Sequence, residues 1–369
     1  MENVVLVILG FLVAAVMGQV IIPKILLISF RKRLFDVPDE RKVHTRPVPR
    51  LGGVTFFPTI LFVLCFIMVW RIIFGHLSNS LFTMDIAGEM LALIAGLTLL
   101  YLVGIGDDLV GVRYRSKFMV QIVSAAFFPL AGLYINNFYG LFGIYGLPQV
   151  VGIPFTMLLV IFITNAINLI DGIDGLASGI CLVALGVFGV IFAIDNLWIF
   201  SLLSFTCFGV LVPFFIYNVF GNADRGRKIF MGDTGSLTLG YILSFLVIQY
   251  CMYNGVKQIP GYSGVINIAL SILLVPCLDV LRVVIGRIQR HKSPFLPDKT
   301  HIHHKFMAMG FGPRRSLVLI QLISLTFIAS TALMVYVFKI NVNIIMAFQV
   351  VAWTLLNIWF SKVIRRKNP

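Results

Sequence analysis

Stretches of about 20 apolar residues recur along this chain, each the length a helix needs to cross the hydrocarbon core of a bilayer. They fall near residues 4–29, 52–74, 88–105, 118–135, 151–169, 176–194, 197–217, 234–253, 264–286, 316–338 and 343–361. In lipid every backbone N–H and C=O must be satisfied within the protein. The pattern therefore predicts an all-α polytopic membrane protein of about eleven transmembrane helices. Composition agrees, since 59% of the 369 residues are hydrophobic and 12% charged, against roughly a quarter charged in a soluble chain. Spans and short loops use up the length, which predicts a single transmembrane domain over 1–369. Met1–Asn3 lack the basic start of a secretory signal, so the first run is expected to stay as a span. Five cysteines lie in apolar stretches without CxxC spacing, as lipid-facing or core fillers would.

A net charge of +14 would suggest nucleic acid in a soluble chain, but its location points elsewhere. Segments 31–50, 106–117, 218–232, 287–315 and 362–369 hold 24 of the 29 Lys and Arg residues. By the positive-inside rule these face the cytoplasm, with the N-terminus outside and the C-terminus cytoplasmic. The excess is then assigned to topology and to anionic lipid, with no nucleic-acid partner. The same face also carries acids, which topology does not require.

Those acids fall in motifs. GIGDD, residues 104–108, is followed by Arg113, Arg115 and Lys117. Adjacent carboxylates at a membrane boundary are costly unless they bind a cation, take a proton or reach water. Asp107 and Asp108 are thus candidates for metal and proton handling, with a solvated loop as the alternative. In NAINLIDGIDGLASG, residues 165–179, Asn165, Asn168, Asp171 and Asp174 recur every third residue, which predicts a polar seam along a helix. Such oxygen donors suit Mg²⁺, which keeps waters and phosphate oxygens in its shell, while Gly172 and Gly175 permit a break. FMGDTGS, residues 230–236, follows Asn218 and the basic run Arg225, Arg227, Lys228. It offers a helix N-terminus to an anion and Asp233 to a metal, though an ordinary N-cap explains it equally well. PFLPDKTHIHHK, residues 294–305, places His301, His303 and His304 near Asp298, Lys299, Lys305, Arg314 and Arg315. Without HExxH or thiolates, hydrogen bonding to phosphates is expected ahead of zinc. Prolines and glycines shape the segment 36–53, from which His44, Arg46 and Arg50 can reach a phosphate or nucleotide. Metal-holding acids, phosphate-neutralising bases and glycine turns on one face are the parts of phosphoryl transfer.

With these motifs in this order from about Asp36 to Lys305, the chain resembles the polyprenyl-phosphate N-acetylhexosamine-1-phosphate transferases, of the WecA/TagO and MraY types. HIHHK after PDKT resembles the N-acetylglucosamine-1-phosphate branch, whereas the MurNAc-pentapeptide branch typically has three consecutive histidines, interrupted here by Ile302. The resemblance implies transfer of N-acetylglucosamine-1-phosphate from UDP-N-acetylglucosamine to undecaprenyl phosphate, releasing UMP, as the first membrane step of a cell-surface glycan pathway. It implies Mg²⁺, with Mn²⁺ as a substitute, at the cytoplasmic face of a bacterial inner membrane, and it is compatible with a homodimer. Active-site loops are expected near 31–50, 106–117, 165–175, 218–236 and 287–315. Among the site residues it implies, Asp107, Asp108 and Asp233 are catalytic, and Asp233, Asn168 and Asp171 lie at the metal. Asp174, Asn218, Phe230, Lys117, His301, His303, His304, His44 and Arg50 contact substrates, Phe230 as a stacking surface for uracil. Two alternatives stand beside this reading. One is the same reaction with another UDP-N-acetylhexosamine or UDP-MurNAc-pentapeptide; the other is a transporter of lipid-linked sugars, which would need ionisable groups near the bilayer midplane. Asp279 and Arg282, one turn apart within a span, are the exception to the surface pattern and are expected to pair.

Overall fold

A computed structural model describes residues 2–35, 48–74, 84–256, 264–291, 293 and 300–367. It is a helical bundle. The long apolar runs form α1 (Glu2–Lys32), α2 (Phe56–Ile73, after a 3₁₀ turn at Gly52–Thr55), α3 (Met84–Val110), α4 (Tyr114–Leu130), α5 (Gln149–Ile170), α6 (Leu176–Ile194), α7 (Trp198–Val219) and α8 (Gly232–Val256). After them come α9 (Val265–Ile272), α10 (Leu274–Gln289), the short α11 (Ile302–Ala308), α12 (Pro313–Ala332) and α13 (Val342–Lys367). Large apolar side chains such as Val16, Leu102, Leu130 and Ile194 are exposed, as a lipid-facing surface requires.

Among the described residues nine helices are long and apolar enough to cross a membrane, and a bent pair makes a tenth. The pair is α9 and α10, which meet at 78°. Pro276, in the first turn of α10, has no N–H to offer the Ile272 carbonyl, so the helix cannot run straight through. The eleventh expected span, α4, has only 17 residues, about 25 Å of helix at 1.5 Å per residue. It starts earlier than expected and ends at Leu130, where Gly132 turns the chain with φ +80°. The segment beyond is a β-hairpin absent from the sequence reading, β1 (Asn137–Leu141) against β2 (Ile144–Gly146). Its turn residues Phe142 and Gly143 both have positive φ, the geometry that matches strand twist in a two-residue hairpin.

α8 forms the axis of the bundle, with 94% of its span buried. It packs on α3 and α5 at positions where glycine lets backbones close in. A Cβ on Gly104 of α3 would lie 2.5 Å from the Thr234 Cα, and one on Gly240 would lie 2.7 Å from the Thr164 Cα of α5. Small residues at such contacts are how helices associate when lipid offers no hydrophobic drive. The outcome is that the ends of α3, α5 and α8 are fixed against one another, and the polar motifs sit on those ends.

Candidate active site

The N-terminus of α8 is the meeting point. The backbone of 48–53 pairs with that of 229–231. The Phe230 N–H donates to the Pro49 carbonyl (2.8 Å), and the Gly52 and Gly53 N–H groups donate to the Phe230 and Met231 carbonyls (2.9 and 2.8 Å). This lays Arg50 and the half-buried Phe230 beside Gly232, whose φ of +69° and crowded surroundings admit only glycine. A Cβ there would meet the Arg50 carbonyl oxygen at 2.2 Å and Asp108 Oδ2 at 2.5 Å.

Asp108, on the last turn of α3, caps α8 from outside. Its Oδ1 accepts from the Asp233 N–H (2.8 Å), and its Oδ2 from the Thr234 N–H (3.0 Å) and hydroxyl (2.6 Å). The first N–H groups of a helix have no internal partner, so a carboxylate here satisfies them and meets the positive end of the helix dipole. Its neighbour Asp107 points elsewhere, as successive helical side chains do. Asp107 accepts from the Val112 N–H at 2.7 Å and from the Lys117 ammonium at 3.4 Å. Lys117, reaching in from α4, also pairs with Asp233. From α5, the Asn168 amide donates to Asp233 Oδ1 (3.1 Å) and Ser236 Oγ (2.8 Å). Four elements thus place Asp107, Asp108, Lys117, Asn168 and Asp233 in one connected network.

The polar seam expected on one helix is interrupted. Asn165 and Asn168 lie on α5, but the helix stops at Ile170, and Asp171 and Asp174 stand in the turn that follows. Gly175, with φ +80°, makes that turn. Asn165 faces α4, where its amide pairs with Gln121 at 2.7 Å. The Asp171 carboxyl is enclosed by protein although part of its surface reaches solvent. Burial, then the charge of Asp174, pushes its pKa up to about 7, with Arg50 opposing. Asp174 pairs with Lys228 at 2.5 Å. Asn218 is buried and braces this turn. Its Oδ1 accepts from the Gly175 N–H (2.6 Å) and its amide donates to the Ile229 carbonyl (2.8 Å).

The histidines form a second centre on α11. Asp279 of α10 is 0% exposed and takes the Arg282 guanidinium (2.6 Å), His301 Nδ1 (2.9 Å) and the Ile302 N–H (3.1 Å). Arg282 also donates to the Thr300 carbonyl at 2.6 Å. The expected Asp279–Arg282 pair is therefore present, and its larger part is to orient His301, which sequence spacing did not reveal. The available signal was an acid inside a span, which is rare without a partner or function. His303 is 1% exposed and lies on the 171–175 turn, where a Cβ on Gly172 would sit 2.2 Å from its Nε2. Burial, then the nearby His304 and His301, lowers its pKa to about 3, so it is neutral. His304 stands 4.2 Å from it, ring to ring. The turn bearing Asp171 and Asp174 thus joins the two centres. Lys305 points away from them, bonding Asn357 Oδ1 (3.1 Å) and Ser361 (3.2 Å) of α13. His44, Arg46, Asp298 and Lys299 lie outside the described residues.

Comparison with known proteins places this arrangement. Residues 90–251, from α3 through most of α8, match the family model described as glycosyl transferase family 4. The chain is 31% identical over 334 residues, 88% of its length and 84% of the relative's, to a Bacillus subtilis (strain 168) protein named probable undecaprenyl-phosphate N-acetylglucosaminyl 1-phosphate transferase. It is 29% identical over 300 residues, 80% of its length and 75% of the relative's, to the undecaprenyl-phosphate alpha-N-acetylglucosaminyl 1-phosphate transferase of Yersinia pestis. An Escherichia coli (strain K12) protein of that same name is 28% identical over 296 residues, covering 78% and 73%.

Proposed function

The chain belongs to glycosyl transferase family 4, and on that premise we propose that it transfers N-acetylglucosamine-1-phosphate from UDP-N-acetylglucosamine to undecaprenyl phosphate. The products are undecaprenyl-diphosphate-N-acetylglucosamine and UMP. The names of its relatives support the substrates. The observation that carries the chemistry is the convergence of Lys117, Asp107, Asn168 and Asp233 beside the N-terminus of α8, an acid-rich cluster suited to a divalent cation that bridges to phosphate.

An oxygen of the acceptor phosphate forms a bond to the β-phosphorus of the donor. The bond from that phosphorus to the bridging oxygen breaks and UMP departs, so the sugar's C1–O bond is untouched. Lys117 lies between Asp107 and Asp233 and neutralises charge that builds on the transferring group. Asp107 takes any proton left on the acceptor phosphate. Asp108, committed to three hydrogen bonds at the start of α8, holds Asp233 in place. The histidine centre, packed on the turn of Asp171 and Asp174, binds donor phosphate through His301 and His304, while Arg50 stands near Asp108 and Asp171.

No group of three or more His, Cys, Asp or Glu ready to hold a metal occurs among the described residues. Mg²⁺ needs no such cage, because it binds through one or two carboxylates and fills its shell with water and phosphate oxygens. The donor set fits: Asp171 is an enclosed carboxyl beside the charge of Asp174, one turn from Asn168, which touches Asp233. Asp171, Asn168 and Asp233 would hold the ion, which when bound polarises the diphosphate. The basic loops support a cytoplasmic site in a bacterial inner membrane.

The test is UMP release by purified protein with undecaprenyl phosphate and Mg²⁺, comparing UDP-N-acetylglucosamine, UDP-N-acetylgalactosamine and UDP-MurNAc-pentapeptide. Lipid-dependent release with the first donor is expected. Release only with another donor overturns the sugar assignment, and no release from folded protein overturns the reaction.

A further inference from the structure

A groove of about 580 Å³ runs between α12 and α13, reached on one side by Phe306 and Met309. Its walls are apolar, and Trp359 and Phe348 stand partly in the open. Phe348 and Lys367 both line it, so it follows α13 for about 28 Å at 1.5 Å per residue. That approaches the roughly 30 Å of a bilayer's hydrocarbon core. The groove is therefore a lipid-depth feature with one cationic end.

The charge at that end is unbalanced. The segments 300–315 and 362–367, at that end, have seven Lys and Arg residues and no Asp or Glu. The Lys367 ammonium donates to the Met309 carbonyl at 2.6 Å, and Lys305 to the Asn357 and Ser361 oxygens. These acceptors are neutral, so both charges remain. Arg365 and Arg366 share the last turn of α13 with Lys367. A second copy docking this face about a two-fold axis would bring the same cations against them. Among the described residues no acid pairs with Arg365, Arg366 or Lys367, so an anion suits this end.

Size narrows the apolar partner. At about 30 Å³ for each small heavy-atom group in a liquid, 580 Å³ takes roughly 20 such groups. That is the size of one acyl chain. We infer that the α12–α13 groove binds one acyl chain of an anionic phospholipid, with its headgroup phosphate at Lys367, Arg365 and Arg366. The site is separate from the carboxylate and histidine centres and does not depend on the reaction assigned to them.

The probe is Trp359 fluorescence in vesicles in which a minority of lipids carry brominated acyl chains. Either phosphatidylglycerol or phosphatidylcholine is brominated at equal mole fraction. Subtracting the Trp359→Phe signal isolates the groove from Trp70, Trp198 and Trp353. Brominated phosphatidylglycerol should quench Trp359 several-fold more than brominated phosphatidylcholine. Lys367→Gln should cut that preference about fivefold, and added salt should weaken it. Ala352→Phe, which narrows the groove, should reduce it while leaving the protein monodisperse and its unfolding temperature near wild type. Equal quenching by both headgroups overturns the proposal, since the face is then in contact with bulk lipid only. Quenching that falls as protein is concentrated at constant lipid composition also overturns it, in favour of a second copy.

Discussion

Asp108 and Asp279 play the same structural part in two centres of opposite character. Each is a carboxylate that reaches from one helix to the exposed N–H groups at the start of another, α8 for Asp108 and α11 for Asp279. Around Asp108 the neighbours are acids, Asp107, Asp171 and Asp233, with Lys117 and Arg50 as the cations. Around Asp279 they are bases, Arg282 and His301. One device, a carboxylate on orphan helix donors, therefore builds both an acidic centre and a basic one. What differs is whether the capping acid is one of many or alone.

If the acidic centre does the chemistry, Asp233→Asn lowers kcat for UMP release by about 10²- to 10⁴-fold. Its unfolding temperature should stay near wild type, and retained turnover would remove Asp233 from the reaction. The largest stability loss belongs to the lone acid. Asp279→Ala removes the buried carboxylate that Arg282, His301 and the Ile302 N–H share and should cost about 3 kcal/mol, read by denaturation of the detergent-solubilised protein. A smaller loss, about 1–2 kcal/mol, is expected for Asp108→Ala, in the range of an N-cap deletion, because Arg50 and Lys117 there keep other acids nearby. Equal costs at the two positions would break the comparison. Another effect is one of pH. His303 has its pKa lowered from 6.5 to about 3 in the fold, by burial and by His304 and His301, with Asp279 opposing. Its contribution is complete above about pH 6.5 and is lost as the pH falls toward 3, because the unfolded chain takes the proton first. Thermal scans of His303→Gln should show a flatter acid limb than wild type, and an unchanged limb would place the titration elsewhere.

The spans were legible because lipid imposes a length and a composition at once, and the motifs because an acid beside apolar sequence needs a reason. The polar seam of 165–174 misled by its regular spacing. Three-residue periodicity continues through a helix end as readily as through a helix, and only Gly175, with φ +80°, decides between them. The bend before α10 turns on Pro276, one residue in a mostly apolar run. Asp279 was read with its neighbour Arg282, whereas its other partners lie more than twenty residues ahead. Lys305 belongs to the histidine motif in sequence but follows the helical rotation to α13. Contacts between elements, rather than patterns within them, were the part hidden from sequence.

α8 bears on how the chain is made. It is the least apolar of the nine long helices and the most enclosed, with Ser236, Thr238, Ser244 and Gln249 all buried against protein. Presented alone to a translocon, such a segment partitions poorly, since each polar group facing lipid counts against entry. Its hosts α3 and α5 are synthesised earlier, so α8 is expected to enter the bilayer as a guest of helices already there, its N-terminal network assembling only once they are in place. Fused singly to an insertion reporter, α8 should enter less completely than α6, and full entry on its own would show that it needs no hosts.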